Sequence, residues 1–247
     1  MSQSQDQKQS VLTHLAALRK MLVVSAAVIA VTFFLVFYFA ADTLMSLLLS
    51  PITAKNIEVI YTAMSEALMT KMKVSFIAAV VVASPVVLWQ IWMFVSPALY
   101  PNEKRSVWLL FAITVFLFLL GITFCYSAVY MLAVEFFLIS GENLAVPMLS
   151  IDKYVSFLFG FVVPFGLAFE LPVVLYLTTR MGLTNYQMLA SKRKFVILAV
   201  AVIAAILTPP DIVSQVMLGI PILLLFEISL LICRCVKPAK QSETTDA

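Results

Sequence analysis

The sequence predicts an all-α integral membrane protein: six transmembrane helices in one bundle, with no separate soluble domain. Three observations carry that reading. Six apolar stretches recur along the 247 residues, of which 63% are hydrophobic and only 12% charged, far from the balance of a soluble domain. Five of the stretches are long enough to cross a hydrocarbon core, which takes about 20 apolar residues. Twelve of the sixteen Lys and Arg residues fall before the first span, between spans two and three, between four and five, or after six. The positive-inside rule then places both termini in the cytoplasm, and six crossings return the chain to its starting side.

The elements follow in order. Residues 1–10 are polar, rich in Gln and Ser, and expected as a disordered cytoplasmic tail. Val11, Leu12, Leu15, Leu18 and Leu22 recur at three- and four-residue intervals, which predicts an amphipathic helix over 11–20 on the cytoplasmic surface. It is expected to turn into a first span at about 21–41, too long for the apolar core of a cleaved signal peptide. An outer loop, 42–73, leads to span two at about 74–95, which carries Pro85 and Gln90. A compact cytoplasmic connection, 96–106, precedes span three at about 107–133, and a second outer loop covers 134–153. Span four, about 154–179, contains Pro164 and Pro172, each of which removes a helical hydrogen bond and should bend it. Span five is short: its 13 residues, 195–207, rise only about 20 Å against a core of about 30 Å. Thr208-Pro209-Pro210-Asp211 then turns the chain into span six, 212–232, and the last two helices are expected as a short hairpin beside thinned membrane. Residues 236–247 form a cytoplasmic tail, and no internal repeat supports inverted-repeat transporter architecture.

Polar residues inside the spans are few: Gln90, Glu170, Gln215 and Glu227. A carboxylate at the bilayer centre costs at least a few kcal/mol unless paired, protonated or wet. Glu170 is therefore either a protonated fastener between helices or a functional group in a polar cavity. Glu227, near the cytoplasmic end of span six, is placed to pair with Arg234 or to snorkel. Gln90 and Gln215 suit interhelical hydrogen bonds. Glu103 stands apart, in a basic loop just before Lys104 and Arg105, where it is either a solvated charge or an acceptor for a partner's guanidinium. Cys125, Cys233 and Cys235 offer no disulfide framework, one lying in a span and two at a cytoplasmic helix end, and Cys233 and Cys235 read as lipid-facing or interfacial apolar side chains.

Enzymatic templates fail on the same inventory. One histidine, His14, supports neither a His/Cys metal cluster nor a catalytic triad, and no phosphate-binding glycine loop occurs. No cofactor, metal or catalytic residue is expected. The basic residues are dispersed over several connections, as topology requires, so nucleic-acid binding has no support. The residues themselves leave two choices: a proton- or cation-coupled transporter of a small solute, or a non-catalytic receptor or translocation scaffold.

Longer motifs separate them. The run Thr13-His14-Leu15-Ala16-Ala17-Leu18-Arg19 opens a series continued by Ser84-Pro85, by Gln90 to Tyr100 (QIWMFVSPALY) and by Glu103-Lys104-Arg105. Phe165 to Pro172 (FGLAFELP), Leu207 to Asp211 (LTPPD), Ser214-Gln215 and Phe226-Glu227 complete it. Together they resemble the TatC family, the multi-span receptor subunit of the twin-arginine (Tat) protein translocase, over nearly the whole chain and in order. The resemblance implies a glove-shaped six-helix protein that binds twin-arginine signal peptides of folded cargo. It implies export driven by the proton-motive force, and assembly with small single-span subunits of the TatA/TatB type and with other copies of itself. It also implies that Glu103 binds the arginine pair, with Leu18, Arg19, Phe94, Lys104 and Arg105 around it. Glu170 carries over as the buried polar residue of the concave face, and Gln215 as a polar group near the partner-helix contact. At position 17 the family usually has glutamate, whereas this chain has alanine, which puts a two-carboxylate site in doubt.

Overall fold

Residues 2–39 contain neither glycine nor proline, and one unbroken helix, α1 (Ser2–Phe39), runs through them. The expected surface helix over 11–20 and its turn into the first span are thus replaced by a single rod. Residues 2–10, expected as a disordered tail, belong to that rod as well. The computed structural model describes the backbone of residues 2–99, 104–141, 148–208 and 211–236, and the side chains of 15–94, 107–141, 148–208 and 211–236. The tail 237–247 lies outside these residues, as does the side chain of His14.

After α1 come α2 (Ala41–Thr53), β1 (Glu58–Ile60), α3 (Glu66–Leu99), α4 (Lys104–Phe124), a π-helical turn (Cys125–Tyr130) and α5 (Met131–Gly141). Then follow β2 (Met148–Ser150), α6 (Ile151–Ala168), α7 (Leu171–Arg180), α8 (Tyr186–Ser191), α9 (Arg193–Leu207) and α10 (Ile212–Cys235). Five helical segments are long and apolar enough to cross a membrane: Leu15–Phe39, Glu66–Phe94, Val107–Gly141, Ile151–Arg180 and Ile212–Cys235. Of the two helices expected to be short, α9 is so at 15 residues, whereas α10 has 24 and belongs with the spanning set. The long helices keep large apolar side chains exposed, Phe34, Phe116, Leu167 and Leu224 among them, a surface suited to lipid rather than water.

The chain divides into two compact units, one of Met1–Val115 with Met148–Val155, the other of Phe116–Pro147 with Ser156–Ala247. In the first, α1 and α3 run antiparallel. Phe33 meets Phe76, with ring centres 6.4 Å apart, while one turn further along α1 the Lys71 ammonium lies 5.8 Å from the Phe37 ring. Ser75, Ala79 and Ala83 recur every fourth residue on the buried side of α3, a small-residue stripe that lets a neighbouring backbone approach closely. Trp89 packs against Trp108 and Phe111 of α4, and the buried Trp92 Nε1 donates to Thr114 Oγ1 at 3.1 Å. Thr114→Val removes that acceptor and strands the indole N–H in apolar surroundings. The expected cost is about 1 kcal/mol, read from unfolding in graded SDS with Trp fluorescence.

The segments expected as loops hold more structure than their sequence advertised. Residues 42–73 contain α2, β1 and the first two turns of α3, and residues 134–153 contain most of α5 and all of β2. Strands β1 and β2 pair in parallel, Glu58 with Met148, Val59 with Leu149 and Ile60 with Ser150. Lys71 pairs with Asp42 at 2.7 Å, Lys73 with Asp152, and Tyr154 Oη donates to the Leu48 carbonyl at 2.9 Å.

In the second unit the predicted bend of span four appears as a break. Pro172 has no N–H, and its ring cannot sit against the carbonyl of the residue four before it. That residue is Ala168, where α6 stops; Phe169 and Glu170 form a turn, and α7 starts at Leu171. Close approach is carried by glycines. A Cβ on Gly160 would stand 2.5 Å from the Leu207 carbonyl oxygen, and one on Gly121 2.9 Å from Phe169 Cβ. Asp211 caps α10, its two carboxylate oxygens each accepting from Ser214, at 2.7 Å from the amide and 2.7 Å from the hydroxyl. Cys125 and Cys233 are buried within this unit and Cys235 is exposed, so the lipid-facing reading fails for Cys233.

Candidate functional site

Leu18, Arg19, Phe94 and Gln90 sit in the first unit, and Glu170, Gln215 and Glu227 in the second. In the first unit, the antiparallel register of α1 and α3 decides which ends coincide. From the Phe33–Phe76 contact, Leu18 lies about 22 Å back along α1 and Phe94 about 27 Å forward along α3. Both therefore belong to one end of the unit, and α4, paired with α3 through Trp92 and Thr114, also has its start there. Ala17 and Arg19 are exposed at this end, while Leu18 and Phe94 are half-buried. Glu103 lies outside the described residues, as do the side chains of Lys104 and Arg105; in sequence Glu103 directly precedes the first residue of α4. The end thus combines an exposed guanidinium on α1, two apolar side chains and the connection that carries a carboxylate.

In the second unit Glu170 occupies the break itself. Its carbonyl accepts from the amides of both Val173 and Val174, at 3.1 and 3.0 Å. Its Oε1 is buried and has no hydrogen-bond partner among the described residues. Gln215, one residue beyond the Asp211–Ser214 cap, and Gln90 on α3 are both half-buried. Glu227 receives Arg193 Nη2 at 2.8 Å, tying α9 to α10. Arg234, the candidate partner on its own helix, lies 6.0 Å from the Tyr186 ring. The connection between α8 and α9 put a nearer guanidinium beside Glu227 than its own helix did.

One carboxylate passed over in the sequence organises the β1–β2 region. Glu66, the first residue of α3, accepts from the Thr62 amide and hydroxyl, the Ala63 amide, the Ser150 hydroxyl and the Asp152 amide. It lies about 12 Å along the helix before Val74, where the apolar run of span two begins. Donation by Ser150 foremost, then by the Thr62 amide and hydroxyl and the Asp152 amide, outweighs partial desolvation and holds its carboxyl down at about 2. The signal was present: an acid in the first helical turn marks a helix start.

Residues 13–221 match the family model for the Sec-independent protein translocase protein (TatC). The chain belongs to the TatC family. Among its TatC relatives, the Sec-independent protein translocase protein TatC of Carboxydothermus hydrogenoformans is 37% identical over 239 residues, covering 96% of this chain and 98% of that one. The protein of the same name from Aquifex aeolicus is 41% identical over 221 residues, covering 88% and 91%. A crystal structure of the twin arginine translocase receptor TatC superposes with a TM-score of 0.84 at 40% identity, over 90% of this chain and 98% of that one. TatC membership and the five long apolar helices together make this a multi-pass protein of the cell membrane.

Proposed function

We propose that the chain is the core receptor subunit of a twin-arginine translocase, binding twin-arginine signal peptides and organising export of folded proteins driven by the proton-motive force. The observation that carries this is the match to TatC along nearly the whole chain, joined to the placement of Leu18, Arg19 and Phe94 at the end where the α3–α4 connection bears Glu103. A guanidinium pair stays charged at any physiological pH, so a carboxylate reads it without titrating. With Ala17 in place of a second acid, Glu103 is the acidic reader, and Phe94 and Leu18 offer apolar contact to the stretch that follows the arginines. Arg19, Lys104 and Arg105 keep this end facing the cytoplasm, with both termini on the same side.

Single-span TatA/TatB-type subunits and further copies of the chain are the partners that complete the machine. Glu170 and Gln215 are proposed as polar contacts for them in the second unit. The role is non-catalytic: the chain supplies docking surfaces rather than bond-breaking groups. The solute-transporter alternative rested on Glu170 alone, and membership in a protein-translocase family outweighs it.

Peptide binding tests the reading. A charge-assisted contact contributes about 1.5–3 kcal/mol, so Glu103→Ala should weaken a peptide bearing paired arginines by about 10- to 150-fold. Exchanging the pair for two lysines should weaken wild-type binding similarly and leave the variant little changed. Equal binding of both peptides, indifferent to the substitution, counts against the assignment.

A further inference from the structure

The corner between α8 and α9 carries three consecutive cations, Lys192, Arg193 and Lys194, all exposed. Arg193 is neutralised by Glu227 of α10, at 2.8 Å.

Lys192 and Lys194 have no carboxylate within ion-pair distance among the described residues. The Lys192 ammonium lies 5.2 Å from the ring of Phe195, so charge and apolar surface meet at this corner. Below that ring runs an apolar stripe at helical spacing: Phe195 is 65% exposed, Leu198 62% and Val202 50%. Two uncompensated cations at the head of such a stripe suit a ligand that is anionic at one end and apolar along its length.

We infer that this corner binds an anionic phospholipid, its phosphate taken by Lys192 and Lys194 and an acyl chain laid along Phe195, Leu198 and Val202. The headgroup is drawn below its usual plane, so the lipid fits the 15-residue α9 and fixes the thinned bilayer beside it. This goes beyond the receptor function, and its readout involves no cargo.

The full chain in nanodiscs of equal phosphatidylglycerol and phosphatidylcholine tests it by native mass spectrometry of retained lipid. Wild type should retain phosphatidylglycerol on the order of fivefold over phosphatidylcholine. Lys192→Gln/Lys194→Gln should bring the ratio to parity, whereas Lys55→Gln should leave it unchanged. Hydrogen exchange on the wild type makes the result independent of variant folding: amides of 192–198 should slow in phosphatidylglycerol discs relative to phosphatidylcholine discs. No lipid preference, no difference in exchange, or a preference stripped by millimolar inorganic phosphate would each overturn the inference, the last because the site would then recognise free phosphate rather than a lipid.

Discussion

Gly160→Val should leave little folded protein. The side chain would begin 2.5 Å from the Leu207 carbonyl oxygen, closer than real Cβ atoms come, and the obstacle is backbone rather than a side chain that can swing away. Leu207 ends α9, and the following residue, Thr208, is fixed by its amide and its hydroxyl, which both donate to the Ala204 carbonyl, at 2.9 and 2.8 Å. Relief therefore means moving α6 against the end of the α9–α10 hairpin. Overpacking of this kind costs about 3 kcal/mol or more. Unfolding in graded SDS and the yield of monodisperse protein measure it. Gly219→Ala is the control, because its nearest neighbour, Val200 Cγ1, stands at an ordinary 3.7 Å. Equal tolerance of the two substitutions would show that the close approach at Gly160 is not real.

The second large effect is expected at Glu66. With five donors aimed at one carboxylate, Glu66→Ala strands the Ser150 hydroxyl and the Thr62, Ala63 and Asp152 amides together. The pairing of β1 with β2 then loses its anchor, and limited proteolysis between residues 54 and 65 should speed up on the order of tenfold as local opening becomes easier. The pH dependence has a definite sign. A carboxyl held at about 2 in the folded state stabilises it fully above the ordinary carboxylate value near 4.5, and that stabilisation fades as pH falls from there towards 2. Wild type should therefore become protease-sensitive across that acid window, while Glu66→Gln, sensitive throughout, should show no step there. A step of the same size in the variant would assign the transition to another acid.

How far the sequence led depended on which signals were local. Span positions came from hydropathy, and the break in span four from Pro172, because both act within a turn or two of the residues concerned. Continuous α1 was missed because a charge cluster at Arg19-Lys20 reads as a membrane boundary, whereas backbone propensity sees no obstacle there. The parallel β1–β2 pair was invisible: two three-residue strands separated by almost ninety residues carry no periodicity to detect. For Glu227 the readings were a pair with Arg234 or snorkelling, and Arg193 was not among them, since same-helix spacing is legible in a sequence and the neighbour supplied by the α8–α9 corner is not. Of the proposed recognition end, the motifs named the residues, and the antiparallel register of α1 and α3 added that Leu18, Arg19 and Phe94 share one end.

Site-specific photocrosslinking weighs the account most directly. With a photoreactive residue at position 18, 94, 215 or 227 in turn, so that Glu103 stays in place, a membrane-reconstituted chain is offered a labelled peptide bearing paired arginines. The account predicts adducts at 18 and 94, mapped to the arginine pair and the residues just after it, and their loss when lysines replace the arginines. Adducts concentrated at 215 or 227, or equal labelling by the lysine peptide at 18 and 94, would contradict it.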